Sequence, residues 1–377
     1  MQRVFRMLLS VALAVSAGAI PSAAQLSHPD RSGAVFVMTN AADRNEVISF
    51  RRSADGSLQQ SDRFSTGGRG TGGVTDPLES QGSLTLSRDH SLLFAVNGGS
   101  AEISVFQVHG SKLTLADKVL SGGAEPNAVA EHGNLVYVIN VGGSSNVVGF
   151  RLDETGRLTR IPDSIRFLTT NNSEAASLAF SPDGQFLLVT ERATNNIDVF
   201  HVQDDGTLGP MVVNQGVDPG TFAVTFSPSG AALVAETGPA GGVNASTIAS
   251  YAIASNGTLA PITADVPTLA NATCWDVATP DGRWVYTSNP GSGTISGFAV
   301  STTGGLTPLS GTVVGTNPSG SKNLDIAVSA DSKFLYTLDS GTGTISIFGI
   351  SQDGSLNNLG ETGGFSADAG FNGIAAF

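Results

Sequence analysis

The chain has a single cysteine in 377 residues, Cys274, so it cannot cross-link itself, and its stability must come from packing. A catalytic thiol would need a base beside it. None is evident, and Cys274, at the start of an apolar segment, reads as a small buried side chain. Cations are also scarce. The 19 Lys+Arg against 32 Asp+Glu give a formal net charge of -13, which excludes the clustered positive charge needed for nucleic acid or an anionic membrane. After residue 20 no run is apolar enough to span a bilayer. At the start, Arg3 and Arg6 precede the apolar run Met7 to Ile20, and Ser22-Ala23-Ala24 follows before Gln25. This is the pattern of a secretory leader, residues 1–24, with the functional domain over 25–377 and a secreted or periplasmic destination, without a membrane span once the leader is removed.

What the chain does have is one unit repeated. Leu178 to Leu208 (LAFSPDGQFLLVTERATNNIDVFHVQDDGTL) and Val277 to Leu306 (VATPDGRWVYTSNPGSGTISGFAVSTTGGL) are copies of the same arrangement. The polar residue closing the second apolar segment recurs at Asn40, Asn97, Asn140, Glu191, Glu236, Asn289 and Asp339, in steps of 43 to 57 residues. Each apolar segment is short and bounded by Gly, Asp, Asn or Pro, which predicts strands. Ser-Pro-Asp-Gly and Asp-Asp-Gly-Thr are turns in which Pro presets φ, Asp bonds the backbone ahead and Gly accepts positive φ. Four short strands per repeat, seven times over, predict an all-β, seven-bladed β-propeller of four-stranded antiparallel blades. Gly373 to Phe377 reads as an innermost strand with nothing after it, and Ala34 to Thr39 as a second strand with nothing before it. The C-terminus is therefore expected to complete the N-terminal blade.

Propellers bind ligands where inner strand ends surround the central channel. In this repeat that face carries the segments leading into first strands and the loops leaving second strands, with the Pro-Asp-Gly and Asp-Gly-x-Leu turns opposite. The five histidines, His28, His90, His109, His132 and His201, all fall away from the ligand face and read as surface residues. That leaves no imidazole for a His-ligated metal or a Ser-His-Asp triad. The recurrent Asn and Asp read mainly as strand caps. Glu191 and Glu236 stand out because Glu is a poorer turn former with a longer reach, and Arg192 adjoins the first. Such a pair could act as general base or hold a cation such as Ca²⁺, and no other cofactor is implied. Asn127 and Asp276 are polar where other first strands carry Leu84, Leu178, Val224 and Ile326, and Lys322 and Asp325 suggest an ion pair. Thr66 to Gly82 is a long glycine-rich insertion, read as a rim loop and candidate lid with an exposed Arg69.

These repeats resemble the lactonase family of seven-bladed propellers, which includes 6-phosphogluconolactonase-like proteins and fungal carboxymuconate cyclases. The resemblance spans the chain beyond the leader. It implies a site with a His-rich lead into a middle blade, Pro-Arg-His into the next, an Asn-Glu strand end and an Asn-Arg-Gly strand end. Here those places read Ser173 to Ser177, Pro219-Gly220-Thr221-Phe222, Ala235-Glu236 and Asn289-Pro290. The missing Arg and His would clamp an anionic lactone and move protons. The repeats are also similar to Tyr-Val-Thr-Asn cell-surface propellers, which are binding modules. Two readings therefore stand. One is an exported lactonase acting on a neutral or weakly charged lactone, with Glu236 and Glu191 as base and Asn289, Arg192, Asp276 and Asn127 binding substrate. The other is a non-catalytic extracytoplasmic propeller that binds a small molecule, such as a sugar or lactone, or a protein partner.

Overall fold

The computed structural model describes residues 33–377; the leader expected at 1–24 and His28 lie outside them. Among the described residues seven antiparallel sheets follow one another along the chain. The fourth sheet is typical: Ala175–Phe180, Phe186–Glu191, Asn196–Val202 and Leu208–Gln215 pair in sequence order. The third differs at its outer edge, where two short pieces, Leu158–Arg160 and Arg166–Phe167, both pair with Asn146–Leu152. Closure is as the sequence suggests. Ile374–Ala376 joins Ala34–Met38, with Phe36 opposite Ala375, so the last strand becomes the innermost strand of the first blade.

The turns form for the reasons their residues supply. In Ser181-Pro182-Asp183-Gly184 the Asp183 Oδ1 accepts from Ser181 Oγ at 2.6 Å and from Gln185 N at 3.1 Å, while Gly184 takes φ 72°. The Ser181 hydroxyl, with help from the turn backbone and against some desolvation, lowers the Asp183 pKa. Between blades the contact is apolar. Central strands such as Phe186–Glu191 and Trp284–Asn289 are almost wholly buried because sheets cover both faces. Three of the four tyrosines add a polar stitch from one blade to the next. Tyr137, Tyr286 and Tyr336 donate their hydroxyls to the carbonyls of Gly206, Gly354 and Gly56 at 2.8, 2.8 and 3.2 Å. The last of these links the seventh blade to the first, and supports the closure made by the terminal strand. No helix among the described residues is long and apolar enough to cross a membrane.

Candidate functional site

The recurrent strand-end residues are all buried. Asn289 is fully buried. Its Oδ1 accepts from Thr273 and Thr287 hydroxyls, and its Nδ2 donates to Thr294 and Ser296, the latter at 2.9 Å. Ser296 in turn donates to the carbonyl of Thr268 at 2.7 Å. Asn97 repeats the device with Ser104 and Thr66. In these two blades the anchor thus ties the second strand to the third and, through the Ser hydroxyl, to the end of the preceding blade's fourth strand, whereas Asn40 donates instead to Thr71, Gly72 O and Gly370 O.

The two glutamates occupy the same place and are equally closed to solvent. Glu191 Oε1 accepts from Thr169 N at 2.8 Å, and Oε2 accepts from the hydroxyls of Thr169 and Thr194 and from Asn196 Nδ2. Where other blades place Ser104 or Ser296, this blade places Asp198, opposite Val189. Burial first, then the charge of Glu191, pushes Asp198 up to about 8, so at neutral pH it carries a proton it can donate to Glu191. Glu236 accepts from Thr247 Oγ1 at 3.0 Å, Asp218 N at 3.2 Å and Tyr251 Oη at 3.4 Å, and burial raises it to about 7. Neither carboxylate faces open solvent. Their ligand shells are already filled by protein donors, and among the described residues no group of three or more His, Cys, Asp or Glu is placed to hold a metal.

The centre of the ligand face is occupied by the insertion that joins the first blade to the second. Its chain runs inward and meets the third, fourth and sixth blades. Ser80 Oγ donates to the carbonyl of Asn127 at 2.8 Å, and Gln81 N to that of Ala176 at 2.8 Å. The Gln81 carboxamide forms a matched pair with the Asp276 backbone, donating to its O and accepting from its N, both at 3.0 Å. Trp275 Nε1 donates to Ser80 O at 3.0 Å. Leu78 is 6 % exposed and joins the hydrophobic core. The segment expected on a rim is an axial plug. Arg69, in contrast, is exposed as expected.

This explains the remaining expected site residues. Asn127 donates to Ala175 O at 2.8 Å and supports the plug through its own carbonyl. Asp276 lies under Gln81, with its carboxyl beside Thr225, and burial raises it to about 7. Arg192 clamps the plug by pairing with Glu79, and with Glu174 at 2.8 Å. Lys322 pairs with Asp368 at 2.8 Å rather than with Asp325. Asp325 is buried and accepts from Ile326 N and Ile374 N at 2.9 and 3.1 Å, which fixes the closing strand. Cys274 is buried, as expected, and desolvation pushes its thiol up. His90 and His132 are not simple surface residues. Each is half-buried, the first stacked on Phe377 and the second at the turn-face mouth of the channel, bonded to Pro182 O.

Beside the plug, between the fourth, fifth and sixth blades, a cleft of about 710 Å³ remains. Arg192, Asn195, Thr237, Asn271 and Cys274 line it together with the Pro239 to Val243 loop. Asn195 Oδ1 accepts from Gly220 N, and Asn271 Oδ1 accepts from Asn244 N at 2.6 Å. Both amides thus commit their oxygens to the backbone, which leaves NH₂ groups as the donors for the cleft. No carboxylate or imidazole lines it. A larger cleft, about 950 Å³, lies on the turn face between the second and third blades, away from the inner strand ends. Asn195 and Asn271 escaped the sequence reading because Asn is common in every loop of the chain. The plug was visible only as a long insertion containing Pro77-Leu78, which is apolar for a rim.

The profile of the family described as Lactonase, 7-bladed beta-propeller, matches residues 28–170 and 166–274. No curated protein matches the sequence. Solved structures share the fold. The periplasmic gluconolactonase of Pseudomonas aeruginosa aligns with TM-score 0.66 at 18% identity, over 90% of this chain and 99% of that one. A candidate 6-phosphogluconolactonase from Bacteroides uniformis aligns with TM-score 0.69 at 19% identity, over 92% and 99%. A protein from Lactobacillus plantarum gives TM-score 0.68 at 18% identity, over 92% and 98%.

Proposed function

The chain belongs to the seven-bladed β-propeller lactonase family, and from that premise we propose that it is an exported propeller that binds a small, neutral or weakly charged lactone or sugar without hydrolysing it. The observation that carries this reading is the cleft beside Arg192. Its polar lining is dominated by donors, the Arg192 guanidinium and the Asn195 and Asn271 amides, and includes no carboxylate or imidazole. Such a lining suits ring and carbonyl oxygens but offers no general base, which must lie within hydrogen-bond reach of the proton it takes. The basic apolar leader pattern supports export, and one structural neighbour is periplasmic.

A hydrolytic reading has one specific observation in its favour. Burial holds Glu236 near neutrality, at about 7, where a carboxyl can act as acid or base. Its side chain is nonetheless fully buried and bonded to Thr247 and Tyr251. The deciding experiment incubates residues 25–377 with aliphatic, sugar and aromatic lactones and their hydroxy acids, and follows both thermal shift and acid release. Saturable stabilisation without turnover, lost in an Asn195→Ala/Asn271→Ala variant, is expected. Turnover that disappears in Glu236→Gln would replace binding by hydrolysis as the function.

A further inference from the structure

We infer that residues 74–82 form a displaceable plug, an autoinhibitory closure of the propeller axis whose release is driven by loss of the Asp76 proton. The segment has the construction of a detachable part. It is anchored mainly by polar contacts: Gln81 on the Asp276 backbone, Ser80 on Asn127 and Trp275, and Glu79 on Arg192. Only Leu78 is sunk in the core. Its backbone is held away from relaxed geometry. Asp76 and Glu79 take φ 44° and 45°, a region side-chain-bearing residues rarely adopt, while Gly73 and Gly82 at each end take φ 108° and 95° and give the chain freedom to swing.

Asp76 is the trigger because it is the one plug residue whose carboxyl turns inward. It accepts from Asn372 Nδ2 at 2.9 Å and from Glu79 N at 3.1 Å. The residue keeps some exposure, but its carboxyl is tightly packed around, and that desolvation, together with the Glu79 charge and against the Asn372 bond, raises it to about 7. The charged and titratable groups facing it are Glu79 on the plug, Asp325 on the first strand of the seventh blade, Arg192 at a strand end of the fourth, and the Cys274 thiol. Arg192 is already engaged by Glu79 and Glu174, and beyond Thr75 Lys322 is engaged by Asp368. An ionised Asp76 therefore meets two further carboxyls and no free cation in this set.

The sign follows from linkage. Closed, Asp76 keeps its proton to about 7; released into water it titrates near the ordinary value of about 3.9. Between those limits opening releases one proton, so it becomes easier by about tenfold per pH unit and levels off above the closed-state value. This closure concerns the face to which the ligand is assigned, but its test reads the plug and not the ligand, so either idea can fail alone.

Trp275 lies beneath the plug at 0% exposure and bonds to it, and Trp284 is the other of two tryptophans. In a Trp284→Phe background, acrylamide quenching of Trp275 is expected to rise from pH 5 to about pH 7 and then plateau, with far-UV circular dichroism unchanged. Adding Asp76→Asn, whose amide oxygen keeps both accepted bonds, should flatten the curve at its low-pH level. Gln81→Ala should raise quenching at every pH. Quenching that does not change with pH, a rise that survives Asp76→Asn, or a Gln81→Ala variant as protected as its parent would each overturn the plug.

Discussion

The fourth and sixth blades solve one problem with different chemistry. In the sixth, a neutral Asn289 and Ser296 tie three strands together. In the fourth, Glu191 and Asp198 stand at the same two registers, and two acids share the enclosed space. The difference teaches that a strand-end carboxyl can take over the tying role that Asn fills in other blades. A longer, charged acceptor gathers more donors, and its neighbour accommodates it by staying protonated. Burying such a pair costs desolvation that the neutral pair avoids, and it makes this strand-end pair of the fourth blade sensitive to pH where the pair of Asn289 and Ser296 in the sixth is not.

The comparison is broken most forcefully by removing each anchor. Glu191→Ala strands four donors, Thr169 N, the Thr169 and Thr194 hydroxyls and Asn196 Nδ2. Bonds to a charged acceptor are the stronger kind, so a loss of about 3 kcal/mol is expected in urea unfolding. Asn289→Ala leaves a similar number of neutral groups unpaired and should cost about 2 kcal/mol. A Glu191→Ala variant within 1 kcal/mol of the parent would mean that the carboxylate is not structural and would return it to the list of catalytic candidates.

A smaller effect sharpens the electrostatic half. Asp198 is held at about 8 in the fold, against about 3.9 unfolded. From about pH 4 to 8 the native state therefore keeps a proton that the unfolded chain has lost, and stability falls by up to about 1.4 kcal/mol per pH unit. Discounting for the coupled Glu191, about 2 kcal/mol should be lost between pH 5 and 8. Asp198→Ser restores the residue other blades use at this register, and should remove this contribution while leaving those of Asp76, Asp276, Asp325, Asp339 and Glu236. Parent and variant unfolding curves with the same pH slope would show that the pair is not protonated as described.

The sequence made the architecture legible because its signals are local and repeated. Ser181 to Gly184 contains its own turn, and the spacing from Asn40 to Asp339 counts the blades. Glu191 and Glu236 were legible as unusual but not as buried, since a strand-end residue shows its register and not the rotamer that turns it into the sheet. Least legible was the plug. The pairing of Gln81 with Asp276 joins residues 195 apart, and no periodicity specifies it. A connection between blades is free to stay on the rim or cross the axis, and only packing decides.

The smallest effect tests the contact between blades. Tyr286 lies three residues before its anchor and faces Gly297 across the sheet, and its hydroxyl reaches Gly354 O in the seventh blade at 2.8 Å. Leu188 stands at that register in the fourth blade and faces Val199, so the fourth blade meets the fifth through apolar contact there. Tyr286→Phe keeps the ring and removes only the stitch, leaving one carbonyl unpaired. A loss of about 1 kcal/mol is expected, the net value of one buried hydrogen bond. If Tyr286→Phe is as stable as the parent, the blades are held by apolar packing alone, and the stitch is a consequence of closure rather than a contributor to it.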